Sequence, residues 1–455
     1  MSRWATGFDT AWLQLERTTN RMVIHGVLFC DGPIDVEALR ARIAERWIPT
    51  YPPLRQTPTW PLGPYGPARW VDDDPDLTRH VDTAALDAPG DDTALDRYIG
   101  GLMSQPLPVD RPWWAIHVLT GYAGTGTALV VRIHHGLADG VALNHLFHSL
   151  ADDPEQVADG TPPVYAARPE TRGGVRDARL MGNRAKVRAT ELGRQLRGWT
   201  SAAGRRELAA TADAVRTSAG ILINPPPEAT TSLQSRVGVE KSARWSSPVA
   251  VETIKAAGKA HGGSVNDVVC AAIAEALREF LGADGSAVPR MRAVVPTNLR
   301  NLDRAISSTL GNEVGLVLPT LPTDEPDAGR RIERMHTTMT KIKRTDQALV
   351  VFAGLAGAGH AAASFTQGMI KRYAKSTSLI ITNVPGPVGP LDVVGTRIRS
   401  MMFWVPCSGD LALGVSILSY AGELRLGVAA DTAVLGGESG VDRFLAALDG
   451  ALSRL

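Results

Sequence analysis

Cysteine is scarce in this chain, and its few copies are far apart. Only three occur in 455 residues, Cys30, Cys270 and Cys407, and no two of them form a CxxC pair. An odd number of distant cysteines supports neither a disulfide framework nor a zinc knuckle. The sequence therefore favours a protein of the reducing cytoplasm, and no metal site is expected.

An excess of charge of one sign is also missing. The chain has 48 basic and 47 acidic residues, which gives a formal net charge of +1. Such a balance creates no general field that would attract nucleic acid. The N-terminal residues lack the apolar segment of a secretory signal. We therefore expect neither a nucleic-acid partner nor secretion.

One apolar stretch, residues 348–365, is long enough to resemble a membrane span. It consists mostly of alanine and glycine, contains His360 and follows a charged segment. These features predict a helix of small residues buried within the protein rather than a span.

Ample apolar residues and an ordinary charged fraction predict a folded globular protein. Hydrophobic residues make up 44% of the chain and charged residues 21%. Strand-like and helix-like patterns mix in both halves, which indicates α/β layers. We divide the chain into an N-terminal domain (residues 1–165), a helical connector (166–235) and a C-terminal domain (236–455).

The predicted connector is rich in arginine. Between Arg168 and Arg216 there are 12 basic residues against 5 acidic ones. Two interpretations stay open: a solvated linker helix, or a cationic patch that contacts anionic lipid or the phosphates of CoA.

A histidine pair stands where a predicted strand, Thr127–His134, ends in the loop HHGLADG. Neighbouring side chains on an extended strand point to opposite faces, so His134 and His135 are not expected to share one metal. One of them should face the site and the other should pack. A neutral imidazole accepts an alcohol proton near neutral pH, which makes this loop a candidate acid/base site.

The rest of this loop predicts structural support. Gly140 permits a tight turn into the next helix. Asp139 can cap that helix or pair with a buried arginine. His145 and His148 lie three residues apart on the same helix, but no third metal ligand is evident. A GxSxG elbow is absent from the chain, which weakens any serine-nucleophile hypothesis.

These residues carry a family resemblance. HHGLADG resembles the HHxxxDG signature of CoA-dependent acyltransferases. Over nearly its full length the chain resembles bacterial bifunctional wax ester synthase/diacylglycerol acyltransferases. The similar segments are GFDTAWLQLE, DRPWWAIHVL, IHHGLADGVAL, SVNDVVCAAIAEALR, VVPTNLR, LGNEVGLVLPTLP, ITNVPGP and VSILSYAGELRLGVAAD.

The resemblance implies two chloramphenicol-acetyltransferase-like α/β domains with an active-site tunnel between them. It implies that His135 is the general base, with His134 and Asp139 in support, and that Asn266 and Asp267 form a motif that contributes to activity. Acyl-CoA would be the donor substrate, with no cofactor, and the acceptor would be a diacylglycerol or a long-chain alcohol. Peripheral contact with the inner membrane face or lipid bodies would follow from the insoluble products.

The chain departs from the family pattern in two segments. Thr6 stands ahead of Asp9 where the family usually has serine, and Trp113 follows Pro112 where the family has leucine in PLW. Of Trp113 and Trp114, one is expected in the core and one on the tunnel wall, and we assign the wall to Trp114.

The remaining site candidates are Gly140 and Asn383, whose amide could face the tunnel. Two alternative functions stay open. One is a related enzyme that uses another acceptor or a carrier-protein thioester, and the other is a catalytically silent lipid-binding protein.

Overall fold

The structure is a computed structural model. It describes residues 2–63, 65–153, 228–283, 287–300 and 306–455. Most of the predicted arginine-rich connector, residues 166–227, lies outside these ranges.

The N-terminal half alternates short helices with seven strands. Its strands are β1 (Arg3–Trp4), β2 (Val23–Cys30), β3 (Gln56–Thr59), β4 (Arg69–Asp72), β5 (Val81–Ala85), β6 (Trp114–Tyr122) and β7 (Gly126–His134). Its helices are α1 (Gly7–Gln14), α2 (Val36–Arg46), α3 (Leu77–His80), α4 (Asp92–Met103) and α5 (Gly140–His148), with a short 3₁₀ helix at Pro52–Arg55.

The C-terminal half has the same mixed character. Its strands are β8 (Lys241–Trp245), β9 (Val249–Ala250), β10 (Met291–Asn298), β11 (Val314–Val317), β12 (Thr320–Leu321), β13 (Leu379–Pro385), β14 (Asp392–Val393), β15 (Thr396–Trp404), β16 (Leu413–Tyr420) and β17 (Glu423–Asp431). Its helices are α6 (Val251–Ala260), α7 (Val265–Leu281), α8 (Ala328–Lys343), α9 (Gln347–Ala358), α10 (Ala363–Ala374), α11 (Thr432–Leu435) and α12 (Glu438–Ser453), after a 3₁₀ helix at Ser232–Gln234.

The two large sheets confirm the predicted α/β fold. The first has the strand order β14-β15-β2-β7-β6-β5, and the second has β11-β10-β13-β16-β17-β8, with β12 and β9 at its margins. A separate small sheet has the order β1-β4-β3. The strands β10, β13 and β16 run parallel, and most other pairs are antiparallel.

The two large sheets do not follow the expected domain boundary at residue 236. Strand β15 belongs to the chain segment assigned to the C-terminal domain, yet it pairs with β2 of the N-terminal sheet over Ile398–Trp404. A strand at a sheet edge exposes backbone groups that need partners, and β15 supplies them to β2. This crossing strand was not foreseen from the sequence.

Local signals explain several elements near the site. Strand β7 is buried along its full length and carries the β-branched residues expected of a central strand. Asp35 caps α2 by accepting from the amides of Glu37 and Ala38. Ser264 caps α7 in a capping box with Asp267.

The apolar stretch at residues 348–365 spans two helices, α9 and α10, with a break between them. Small residues let α9 approach α1 closely, since a Cβ on Gly7 would lie 2.0 Å from the Ala356 carbonyl oxygen. Phe8 stacks on Phe352 at 4.7 Å between ring centroids. Within the residues that the structure describes, no helix is both long and apolar enough to cross a membrane.

Candidate active site

The loop HHGLADG lies at the junction of the two large sheets. It leaves β7 at His134 and enters α5 at Gly140. Gly311, from the C-terminal half, donates its N–H to the Leu137 carbonyl at 2.8 Å and accepts from the Asp139 N–H at 3.2 Å. A short parallel bridge between Ala138 and Gly311 completes this contact. Backbone hydrogen bonds therefore fix the loop against the opposite half.

The two histidines make separate contacts, as expected of neighbours at a strand end. His134 is 2% exposed, and its Nδ1 accepts from the Gly136 N–H at 3.0 Å. Its Nε2 lies 3.6 Å from a carboxylate oxygen of Glu16. Burial alone would raise the pKa of Glu16, but the bond and charge of His134 and the Met22 N–H lower it. His134 thus packs into the structure beside the loop.

His135 has a polar partner on one edge and an aromatic ring on its face. Its Nδ1 lies 3.0 Å from Oδ1 of Asn312, which comes from the segment LGNEVG of the C-terminal half. The Trp12 indole stacks on the imidazole with 4.4 Å between centroids and 15° between planes. These two contacts fix the position and the plane of the ring.

The side-chain amide of Asn312 determines which nitrogen of His135 carries the proton. Its Nδ2 donates to Oδ1 of Asp9 at 2.9 Å and to the His135 carbonyl at 2.8 Å. A flipped amide would set its oxygen against the Asp9 carboxylate, so Oδ1 must face the imidazole. An amide oxygen only accepts, and His135 Nδ1 must therefore be the donor. The Nε2 atom keeps its lone pair and can act as a base.

Burial favours the neutral form of the His135 imidazole. His135 is 9% exposed, and desolvation lowers its pKa below the ordinary histidine value. A charged imidazolium is disfavoured at this position in the resting protein. The ring is therefore ready to accept a proton at neutral pH.

Asp9 is held in place by the start of α1. Thr6 caps that helix, and its hydroxyl oxygen accepts from the Asp9 N–H at 2.9 Å. The Asn312 N–H also donates to Asp9 Oδ1, at 3.1 Å. Threonine can cap a helix as serine does, so this departure from the family pattern preserves the local geometry.

Asp139 makes both structural contacts that the sequence left open. It caps α5 by accepting from the Ala142 N–H at 2.9 Å, and it pairs with the Arg300 guanidinium at 2.7 Å. The Glu313 N–H also donates to it at 2.9 Å. Burial would raise the pKa of Asp139, but the charge and hydrogen bonds of Arg300 lower it. The aspartate is therefore ionised and links the loop to the C-terminal half.

An apolar cavity borders the loop at Gly140. It lies between the two large sheets, and all of its lining side chains except Asn144 are apolar, among them Val131, Ile133, Leu143, Phe147, Met402 and Leu418. A Cβ on Gly140 would lie 2.5 Å from the side chain of Val384 in the cavity wall. Glycine at position 140 therefore allows β13 to approach the loop HHGLADG.

The structure corrects the assignment of Trp114 to the cavity wall. Trp114 is 1% exposed, donates its indole N–H to the Leu54 carbonyl at 2.8 Å and stacks on His80. It shares one face of β6 with Ile116 and Val118, which are core residues. Its neighbour Trp113 instead lies near the site, 4.8 Å from the ring of His134.

The structure also places Asn383 away from the cavity. Asn383 is exposed on β13, while Thr382 and Val384 on either side are buried. Side chains alternate along a strand, so the residue that reaches the cavity is Val384. In the segment NVPGP it is therefore Val384, and not the amide of Asn383, that lines the cavity.

Asn266 and Asp267 lie in the first turn of α7. Asp267 is 1% exposed and accepts from both the N–H and the hydroxyl of Ser264 at 2.8 Å. Its carboxylate also lies 2.9 Å from Nδ1 of His336 on α8, and Asn266 is partly exposed. The contacts of Asp267 are local to α7 and α8.

His145 and His148 are core residues of α5. Burial lowers the pKa of each imidazole to about 4. In the part of the chain that the structure describes, no group of three or more histidine, cysteine or acidic side chains is arranged to hold a metal ion.

The sequence interpretation missed Asp9, Trp12, Arg300 and Asn312 as members of this site. Each lies in a segment that carries the family resemblance; Arg300 follows the strand β10, and Asn312 precedes the buried strand β11. A search for polar residues within those segments would have found them as candidates. Their contacts could not be predicted, because Asn312 lies 177 positions from His135 and Asp9 lies 303 positions from Asn312.

Two models of one known protein family match this chain. Residues 6–269 match the model of the wax ester synthase/diacylglycerol acyltransferase catalytic domain. Residues 310–451 match the C-terminal domain of the same family. The two matches contain His135 and Asn312, respectively.

Curated relatives are similar over most of the chain. A probable diacylglycerol O-acyltransferase of Mycobacterium tuberculosis is 29% identical over 94% of this chain and 90% of its own length. A second protein of that organism, also named a diacylglycerol O-acyltransferase, is 28% identical over 78% of this chain and 71% of its own.

Solved structures share the fold. The wax ester synthase/diacylglycerol acyltransferase of Marinobacter aquaeolei has a TM-score of 0.64 and 23% identity, and the match covers 98% of this chain and 96% of that one. The first condensation domain of the CDA synthetase has a TM-score of 0.62 and 16% identity, with coverage of 100% and 96%.

Proposed function

Because the chain belongs to the wax ester synthase/diacylglycerol acyltransferase family and is an acyltransferase, we propose that it moves a fatty acyl group from acyl-CoA to a diacylglycerol. The observation that carries this proposal is the chain of contacts from Asp9 through Asn312 to His135. It leaves a neutral imidazole with a free Nε2 lone pair, which is what a general base needs.

In the proposed reaction, Nε2 of His135 accepts the proton of the acceptor hydroxyl as its oxygen attacks the thioester carbonyl carbon. The tetrahedral intermediate breaks its C–S bond, and the imidazolium returns the proton to the leaving CoA thiolate. A thioester is already activated, so no covalent enzyme intermediate is required. Asp139 keeps the loop in place and takes no proton.

The apolar cavity beside Gly140 supports a fatty acyl substrate. Its lining provides no charge to a bound chain, and transfer of apolar surface out of water is favourable. Diacylglycerol is the preferred acceptor in this proposal because the similar mycobacterial proteins carry that activity in their names. A long-chain alcohol is the second candidate, since the family name includes wax ester synthesis.

The test is a panel of donors and acceptors with the purified protein. Palmitoyl-CoA is supplied with dipalmitoylglycerol or with hexadecanol, and released CoA is followed with a thiol reagent. We expect release that depends on an acceptor and is faster with dipalmitoylglycerol. Faster release with hexadecanol would make wax ester synthesis the main activity.

A second arm replaces palmitoyl-CoA with palmitoyl-carrier protein. Turnover with the carrier thioester alone would contradict the proposed donor. No turnover with either donor, from folded protein that still binds lipid, would favour a silent lipid-binding role.

A further inference from the structure

The hairpin that joins β3 to β4 carries large apolar side chains into solvent. Leu62 is 60% exposed and Tyr65 is 65% exposed. Trp4, on the adjacent strand β1, is 38% exposed and pairs in register with Arg69 of β4. We call Trp4, Leu62, Tyr65 and Arg69 the hairpin tip. Exposed apolar groups gathered at one projecting end indicate a contact surface.

Within residues 56–70 the only charged side chain is that of Arg69, and Asp72 follows at the end of β4. Residues 56–70 contain no aspartate or glutamate, and neither do residues 2–8. Arg69 is exposed, and its guanidinium lies 5.7 Å from the centroid of the Trp4 ring. Arg3 lies on the same strand as Trp4. Arg3 and Arg69 therefore place positive charge beside Trp4, and the acidic residues of β4 begin at Asp72, which accepts from Gln56 Nε2 at 2.8 Å.

We propose that the hairpin tip docks on the surface of an anionic phospholipid bilayer. Tryptophan and tyrosine favour the membrane interface, because one part of each ring is apolar and the other is polar. Leu62 would enter the acyl region, and the arginines would contact lipid phosphates.

Contacts between neighbouring side chains connect the hairpin with the loop that carries His135. Trp60, at the base of the hairpin, lies 6.3 Å from the Trp113 ring, which lies 4.8 Å from His134. On the other side, the Ala68 N–H donates to the Thr10 hydroxyl at 3.1 Å. Thr10 is in α1, which also carries Trp12. The docked surface would therefore hold the active site next to its lipid acceptor, an advantage that rests on the proposed function.

The first experiment measures cosedimentation of the full chain with vesicles of phosphatidylcholine and phosphatidylglycerol. We expect the wild type to bind and the double variant Leu62→Ser/Tyr65→Ser to bind at least about tenfold more weakly, because two apolar insertions are lost. Phe365→Ser is the matched control, since Phe365 is 61% exposed on α10, and its binding should equal that of the wild type. A wild type that does not bind, or a double variant that binds normally, would overturn the proposal.

A charge variant tests the lipid headgroup. Arg69→Gln should weaken binding to the anionic vesicles about fivefold, the effect of one basic residue near such a surface. It should leave binding to pure phosphatidylcholine vesicles unchanged. Equal weakening of binding to both vesicle types would contradict the proposed contact between Arg69 and anionic lipid.

Two further readouts separate the proposal from its alternatives. Loss of a dimer in the double variant by light scattering, with unchanged vesicle binding, would assign the hairpin tip to a second copy of this chain. Turnover of the double variant should fall with vesicle-borne diacylglycerol and stay at the wild-type level with a short-chain diacylglycerol in detergent micelles. If the wild type turns over neither, the proposed function fails while the vesicle-binding result still stands.

Discussion

Two buried aspartates stabilise the starts of two helices, and their other contacts differ: Asp139 immediately precedes α5, and Asp267 lies in the first turn of α7. Asp139 caps α5 and also pairs across the sheet junction with Arg300 and the Glu313 N–H. Asp267 closes the first turn of α7 and makes polar contacts with Ser264 and His336. Both are 1% exposed.

The two carboxylates differ in which parts of the molecule they connect. Asp139 connects two halves of the molecule at the loop that holds His135, whereas Asp267 stabilises one helix and its neighbour. A similar residue at a similar helix position thus has a different consequence when removed. The experiments below measure that consequence, beginning with the largest expected effect.

The first prediction concerns the buried ion pair. Asp139→Ala should lower the free energy of unfolding by about 3–5 kcal/mol, because Arg300 would remain buried without its main counter-charge. The Arg300 side chain is only 7% exposed. Urea denaturation followed by circular dichroism measures the loss, and activity should fall with it because the catalytic loop is no longer fixed.

Two companion variants identify the cause. Asp139→Asn keeps an oxygen that can cap α5 but removes the charge, so it should retain most of the destabilisation. Asp139→Ala/Arg300→Met removes both charges and should recover most of the lost stability. A loss of only about 1 kcal/mol in Asp139→Ala would show that capping is its sole contribution.

The second prediction concerns the orientation of the base. Asn312→Ala removes the acceptor for His135 Nδ1, so the proton is no longer confined to that nitrogen. We expect kcat to fall about 10- to 100-fold, which is less than the effect of removing the base itself. Asn383→Ala is the matched control, because that asparagine is exposed, and it should keep normal kcat. Equal kcat in the two variants would exclude the orienting role of Asn312.

The third prediction concerns the local aspartate. Asp267→Asn should cost about 1 kcal/mol of unfolding free energy, the usual effect of weakening a helix cap. The kcat of the folded protein should remain unchanged, because the contacts of Asp267 are confined to α7 and α8. A large loss of kcat at unchanged stability would show that the Asn266–Asp267 motif acts directly in the reaction.

The fourth prediction concerns pH. Burial lowers the pKa of His135, so the neutral, basic form persists into mildly acidic solution. The acid limb of kcat/KM should therefore have an apparent pKa below about 6.5, the ordinary histidine value, and activity should be lost as pH falls through it. His336→Ala should leave this limb in place. A change in the apparent pKa of the acid limb in His336→Ala would show that the limb reports the contact between α7 and α8 and not His135.

Local patterns predicted much of what surrounds the site. The strand, loop and helix around HHGLADG follow from apolar runs, glycines and a capping residue, all within about one helix or strand length. The caps at Asp35 and Ser264 also come from side chains that immediately precede their helices in the sequence. These features depend on neighbours in the sequence.

Long-range contacts left no local signal. Nothing in LGNEVG alone indicates that Asn312 meets His135, or that Asp9 orients its amide. The crossing of β15 into the N-terminal sheet was missed for the same reason. Trp113 and Trp114 are both apolar and adjacent. Which of them lies in the core could be assigned only once the face of β6 that meets the core was known.

The most direct test of the account is the kcat of His135→Ala, measured by CoA release from palmitoyl-CoA with dipalmitoylglycerol, beside its thermal unfolding. We predict a loss of about 10²–10⁴-fold, because the general base is gone, with a melting temperature close to that of the wild type. Near-normal turnover by folded His135→Ala would contradict the assignment of His135 as the base.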